Sequence, residues 1–212
     1  WSWPGAAPLG TLQDRKQTVA AVRISVDGQR IGAAQYGGNV PIWRSDGDFV
    51  TRIKASKKNV TSLAFHPEGD LLAAAGLGDA ITLWSLPDGE AAGVLAGHQT
   101  AAGSLAFLGD GSRLVSTGYE GAIKLWDVAA RKALQTIPIS QGAWGLVLAP
   151  NQRQAALLAK AQVRIFETES WTVVDEMSIG TNSVNSAAFS PDGQWLAVGA
   201  ADGKIRIFKD NN

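Results

Sequence analysis

Apolar residues in this chain come in short bursts broken by turn-forming residues, with no window that sustains the 3.6-residue rhythm of an amphipathic helix. Val60-Thr61-Ser62-Leu63-Ala64-Phe65 is one such burst, and it stops at His66-Pro67-Glu68-Gly69. Leu71 to Ala75 follows, then a glycine-containing turn, then Ala80-Ile81-Thr82-Leu83-Trp84. Pro87-Asp88-Gly89 turns the chain again, and Ala91 to Leu95 is a fourth burst. Runs of this length bounded by Pro, Gly and Asp predict β-strands joined by tight turns.

The same four-strand unit recurs. Asp27-Gly28, Glu68-Gly69, Asp110-Gly111, Asn151-Gln152 and Asp192-Gly193 begin at spacings of 41, 42, 41 and 41 residues. Trp1, Trp43, Trp84, Trp126, Phe166 and Phe208 follow one another at 42, 41, 42, 40 and 42 residues. Two independent markers therefore share one period. A four-stranded sheet of this size cannot cover both of its own faces, so stacking sheets radially as the blades of a propeller is the natural solution.

Motifs within the units sharpen the picture. Gly97-His98 precedes a strand, Ser190-Pro191-Asp192-Gly193 separates two strands, and Ile123-Lys124-Leu125-Trp126-Asp127 ends in a Trp-Asp pair. Over essentially the whole chain this resembles the WD-repeat family. The resemblance implies an all-β fold: a β-propeller of four-stranded antiparallel blades, with five WD-like repeats in this chain. It also implies a structural hydrogen-bond network, carried here by His98, Ser116, Glu120 and Trp126, with Glu in place of the usual Asp. Asp202 holds the matching turn position in the last unit, where Gly180-Thr181 stands in place of Gly-His.

The units fall at about 14–54, 55–96, 97–138, 139–179 and 180–212 of one domain covering 1–212. Trp1 aligns with Trp84 and Leu12 with Leu95, so Ala7 to Leu12 reads as a fourth strand that completes the last unit within residues 1–13. That arrangement closes a five-blade ring. The alternative is the C-terminal part of a larger propeller of seven or eight blades, and the start at Trp1 without Met reads as processing or truncation.

Composition narrows the function classes. Lys plus Arg equals Asp plus Glu at 19 each, which argues against general affinity for nucleic acid or an anionic membrane. The one basic stretch, Arg52, Lys54, Lys57 and Lys58, reads as a solvated loop. With no cysteine, disulfides, thiolate metal sites and cysteine nucleophiles are excluded. Two histidines, with His66 in a turn and expected to be exposed, are too few for an all-histidine metal centre. No phosphate loop, dinucleotide fingerprint or Gly-x-Ser-x-Gly elbow is present. No cofactor, metal or catalytic residue is therefore assigned. His98, Ser116 and Glu120 have the residue types of a triad, but a triad is defined by converging geometry. No signal-peptide pattern is visible, which leans toward a cytoplasmic location.

The expected role is a non-catalytic protein-interaction scaffold that presents a rigid loop face to other proteins. The position before the turn acid is Tyr36, Leu77, Tyr119, Ala159 and Ala201 in successive units. Tyr36, Leu77 and Tyr119, with Trp144 nearby, form the candidate partner-binding set, because aromatic groups on a rigid surface make good anchors. Trp171, in an expected fourth strand, and Trp195 read as sheet-face residues. A small ligand or catalysis in a central channel is one alternative, and self-association through an open ring is another.

Overall fold

The computed structural model describes residues 10–78, 80–139, 142–180 and 183–210. Blade 1 holds β1 (Val19–Ile24), β2 (Arg30–Gln35), β3 (Asn39–Arg44) and β4 (Phe49–Lys54). Blade 2 holds β5 (Val60–Phe65), β6 (Leu71–Gly76), β7 (Ala80–Ser85) and β8 (Ala91–Ala96). Blade 3 holds β9 (Ala102–Leu108), β10 (Arg113–Gly118), β11 (Ala122–Asp127) and β12 (Lys132–Pro138). Blade 4 holds β13 (Ala143–Leu148), β14 (Gln154–Ala159), β15 (Gln162–Glu167) and β16 (Val173–Ser178). Blade 5 holds β17 (Val184–Phe189), β18 (Trp195–Ala200) and β19 (Ile205–Lys209). Each sheet is an antiparallel meander, with four strands in blades 1 to 4 and three in blade 5 among the described residues. No helix occurs among those residues.

The turn between the first two strands owes its shape to the recurring acid or amide. Asp27 accepts from Gln29 N at 3.0 Å, Asp110 from Ser112 N at 2.9 Å, Asn151 from Arg153 N at 2.9 Å and Asp192 from Gln194 N at 3.0 Å. These short side chains fold back on their own backbone two residues on, which is the Asx-turn geometry. Hydrogen bonds from neighbouring Ser side chains or amides hold Asp27, Asp110 and Asp192 below the usual carboxylate range. Asp27, Asp110, Asn151 and Asp192 are thus turn formers in blades 1, 3, 4 and 5, whereas in blade 2 His66 Nδ1 accepts from Glu68 N at 3.3 Å.

The core lies between blades, not within them. Each of four buried apolar clusters straddles one pair of consecutive blades. Successive first strands contact one another, β1 with β5, β5 with β9, β9 with β13 and β13 with β17, so the blades follow in chain order with their first strands innermost. A register shift recurs where the third strand meets the fourth, at Ile42/Trp43, Leu83/Trp84, Leu125/Trp126 and Ile165/Phe166. The bulge beside the aromatic increases local twist at the outer edge of each blade.

Several expectations change. Of the strand expected over Ala7–Leu12, residues 7–9 and Trp1 lie outside the described residues, and Gly10 to Leu12 form no strand. The segment that follows is tied to blade 1: Arg52 Nε donates to Asp14 at 2.7 Å and Asn39 Nδ2 donates to Gln17 at 2.8 Å. The basic stretch is only half a loop, since Arg52 and Lys54 lie on β4. His66 is half-buried and not fully exposed, because its ring packs edge-on to Phe107 of the next blade at 5.1 Å. Trp171 precedes β16 in a turn, at φ +54°, and is buried against Phe166.

Candidate functional site

The turns between second and third strands line one rim of the arc. Tyr36, Leu77 and Tyr119 are the first residues after β2, β6 and β10, and they are 45%, 50% and 52% exposed. Their backbones are fixed even though their side chains are bare. Tyr36 N donates to Thr18 O at 2.9 Å, Leu77 N to Asn59 O at 3.0 Å and Tyr119 N to Ala101 O at 3.1 Å. Those acceptors precede the first strand of the same blade, so each turn is tied to the entry of its sheet. In blade 4 the equivalent residue is the exposed Lys160, not Ala159, because β14 runs through Ala159 and the turn to β15 has only Lys160 and Ala161. That shorter turn accounts for the 40-residue step from Trp126 to Phe166. Ala201 follows β18 in blade 5, and Ala201 N donates to Ser183 O at 3.0 Å.

Trp144 differs from the other three candidates. It lies on β13, is half-buried, and its indole N–H donates to Val184 O at 2.8 Å. It therefore braces blade 4 against blade 5.

Beneath the rim, blade 3 carries a polar chain. His98 Nδ1 meets the Glu120 carboxylate, and Thr100 Oγ1 donates to the other Glu120 oxygen at 2.6 Å. Ser116 Oγ lies 2.6 Å from His98 Nε2 and accepts from Trp126 Nε1 at 2.8 Å. One proton assignment satisfies every group: His98 Nδ1–H donates to Glu120, the Ser116 hydroxyl donates to Nε2, and the indole donates to Ser116. Burial pushes the His98 pKa down, against the pull of Glu120, so the ring is neutral at pH 7. Burial also pushes Glu120 up, but hydrogen bonds from Thr100, His98 and its own amide outweigh it and leave the carboxyl below its usual value. Ser116 and Trp126 are fully buried. With its hydroxyl spent on two internal partners, Ser116 cannot reach a substrate, and these residues tie β9's entry, β10 and β11 together.

A family model described as the IFT140 first beta-propeller matches residues 21–212, from within β1 through β19. The chain belongs to the IFT140 first beta-propeller family. No curated protein matches it.

Within this IFT140-type propeller the polar network is uneven. Blade 2 has a shorter version, in which Trp84 Nε1 donates to Thr82 Oγ1 at 2.9 Å. Neither Thr100 nor Thr82 was marked by the sequence reading, although Thr82 stands two residues before its Trp, the strand spacing that puts two side chains on one face. Among the described residues Asp202 joins no such network. It forms an ion pair with Arg206, Nη2 donating at 2.7 Å, which holds its carboxyl at about 2. The physical reason is local: Val198, opposite Arg206, stands where blade 3 has Ser116 opposite Lys124, so that position offers no hydroxyl to link a turn acid to the third-strand aromatic.

A groove and a polar cluster lie away from the rim. A groove of about 540 Å³ runs along the outer edge between blades 4 and 5, lined by Met177, Phe189, Trp195, Leu196, Ile207 and Phe208 among others. Trp195 is exposed there, with Lys209 Nζ 5.5 Å from its ring centre. At a first-to-second-strand turn, His66, Glu68 and Asp70 place ligand atoms within 4.8 Å of one another, and His66 Nδ1 is 2.9 Å from Asp70.

Proposed function

We propose that this chain is a non-catalytic WD-repeat-type scaffold that binds another protein through the rim formed by Tyr36, Leu77 and Tyr119. The supporting observation is that three consecutive blades expose a large apolar or aromatic side chain at one equivalent position, on backbone held by hydrogen bonds. A rigid anchor loses little entropy on binding, and exposed aromatic groups supply most of the energy in a typical interface. Trp144 acts behind the rim, holding blade 5 in place, rather than as an anchor. Lys160 adds a positive charge on the blade beyond Tyr119, which favours a partner segment that is apolar with an acidic flank.

The test is capture from the native cell with the parent chain and with a Tyr36→Ser, Leu77→Ser, Tyr119→Ser triple variant. The half-exposed side chains leave the fold intact, so both chains should melt alike. Proteins retained by the parent and lost from the variant support the rim. Retention of the same proteins by both would count against it.

A further inference from the structure

Blades 2 and 3 align strand for strand, with Gly76 opposite Val60 in one and Gly118 opposite Ala102 in the other. Ser56 lies two residues after β4 and four before β5, as His98 lies two after β8 and four before β9. In the same register Ala74 stands where blade 3 has Ser116, and Gly78 where it has Glu120. Three side chains of the polar chain are thus cut back to a small group or to none. The space they would fill is a cavity of about 150 Å³ between blades 1 and 2, lined by Ala55, Ser56, Ala74, Gly76, Gly78 and Thr82 among others. In the linkers into blades 4 and 5 the first residue after the fourth strand is Ile139 or Ile179, which packs into the interblade cluster, whereas the linker into blade 2 has Ala55 there.

Blade 2 keeps the indole and the hydroxyl of that chain. Trp84 stands for Trp126, and its Nε1 donates to Thr82 Oγ1 at 2.9 Å. Thr82 lies opposite Ala74 as Lys124 lies opposite Ser116, so the hydroxyl has crossed to the neighbouring strand without leaving the site. Its own hydrogen has only long acceptors, Ala74 O at 3.3 Å and Ala55 O at 3.4 Å. A ring nitrogen in the cavity would take that hydrogen at ordinary length, as His98 Nε2 takes the Ser116 hydrogen at 2.6 Å. Trp84 is half-buried, whereas Trp126, whose ring centre is 5.8 Å from that of His98, is fully buried. A space of this size holds a ring of about five or six atoms.

We propose that this cavity is a socket for the neutral imidazole ring of a histidine on the partner protein. The proposal rests on the reading of the rim as a partner surface, since Gly76 and Gly78, on either side of Leu77, both form its wall. A Cβ at Gly78 would meet nothing within 4 Å, so the approach there is clear. One ring nitrogen accepts from Thr82, with the Trp84 indole behind it. The other nitrogen, which His98 satisfies on Glu120, faces Gly78 in blade 2 and needs an acceptor from the partner itself. A carboxylate beside the partner's histidine supplies one, and the exposed Lys57 and Lys58, next to Ser56, attract that charge.

The probe is 4-methylimidazole, the histidine side chain alone, at about pH 9 where its ring is neutral. Titrated into the parent chain, it should shift the magnetic resonance signals of the Trp84 indole N–H and the Thr82 amide and leave Trp126 in place. For so small a ligand a Kd of about 1–30 mM is expected. The similar ring 2-methylpyrrole has no acceptor nitrogen and should bind at least ~5-fold more weakly, the worth of one neutral hydrogen bond. Ser56→His with Ala74→Ser rebuilds the blade 3 pattern within the chain and should abolish the shifts, with circular dichroism verifying the fold. Thr82→Val, which keeps the shape and removes the donor, is the second variant and should weaken the probe by a similar factor. Absence of a saturable shift at Trp84 and Thr82 overturns the socket, and so does equal binding of the two rings. Capture with the Ser56→His, Ala74→Ser chain separates the socket from the rim: proteins lost from the rim triple variant should be lost here too. Their retention here overturns the socket and leaves the rim standing, whereas loss here with retention by the triple variant overturns the rim and leaves the socket.

Discussion

Removing the Ser116 hydroxyl tests whether the blade 3 polar chain holds the blade together. Ser116→Ala leaves Trp126 Nε1–H without its 2.8 Å acceptor and His98 Nε2 without its 2.6 Å donor, both at buried sites. Each orphaned group costs about 1–3 kcal/mol, and part is regained by no longer burying a hydroxyl, so about 2–4 kcal/mol is expected. For a chain of this length that is a melting shift of roughly 5–15 °C. The partner substitution Trp126→Phe removes the indole donor, as blades 4 and 5 do naturally with Phe166 beside Leu157 and Phe208 beside Val198. In the double variant only His98 is left wanting, so its cost should fall short of the sum by at least about 1 kcal/mol. Urea unfolding followed by far-ultraviolet circular dichroism, at one low protein concentration, measures all four chains. A Ser116→Ala chain within about 0.5 kcal/mol of the parent would falsify the reasoning, and so would strict additivity in the cycle.

Other positions give sharper contrasts. Trp171 Nε1 is buried with no hydrogen-bond partner, so Trp171→Phe, which keeps the packing on Phe166, should change stability by no more than about 1 kcal/mol; a loss above about 2 kcal/mol would refute this. Gly38 has φ +84°, and a Cβ there would sit 2.0 Å from Ser56 O, so Gly38→Ala should cost well over the ~1–2 kcal/mol of the left-handed backbone alone. Gly203, at φ +76° with open space around it, should show only that backbone cost on conversion to Ala, and equal losses at the two sites would contradict the clash. Acid should also weaken the fold in a defined window. His98 sits below its ordinary 6.5, so above that pH both states are neutral and its contribution is complete; below it the unfolded chain protonates first and stability falls toward the folded value. Glu120 adds a second loss below its ordinary 4.5, and a His98→Gln chain should show a flatter profile of melting temperature from pH 8 to pH 5 than the parent.

The repeat was legible because it rests on local chemistry. Asp-Gly turns and third-strand aromatics are set by neighbours in the chain, so their period survives in the bare sequence. What escaped lies at longer range or in single-residue differences. Ala159 was aligned with Tyr119, but the blade 4 turn is one residue shorter and Lys160 takes the position. Trp171 looked like a strand residue, yet it fills the corner between blades 3 and 4, a contact with residues that local alternation does not report. Asp202 matched by position and failed by context, since Arg206 is its partner and Val198 takes the place of a hydroxyl opposite Arg206. Trp144 lies on a first strand as expected, but its bond to Val184, forty residues away in the next blade, is a long-range contact that local alternation does not report.

Because every apolar cluster is shared by two blades, cooperativity passes from blade to blade. Among the described residues, blades 2, 3 and 4 are clamped on both sides and blades 1 and 5 on one, while blade 3 alone adds the five-residue polar chain. Opening free energies should therefore form a gradient along the chain, greatest at β10 and β11 and least at β1 and β19. Backbone amides would report it as a peak of protection against deuterium exchange centred on Ser116 and Trp126. The gradient makes the middle of the arc a fixed reference frame, on which Tyr119 and its neighbours keep their positions while the terminal sheets breathe.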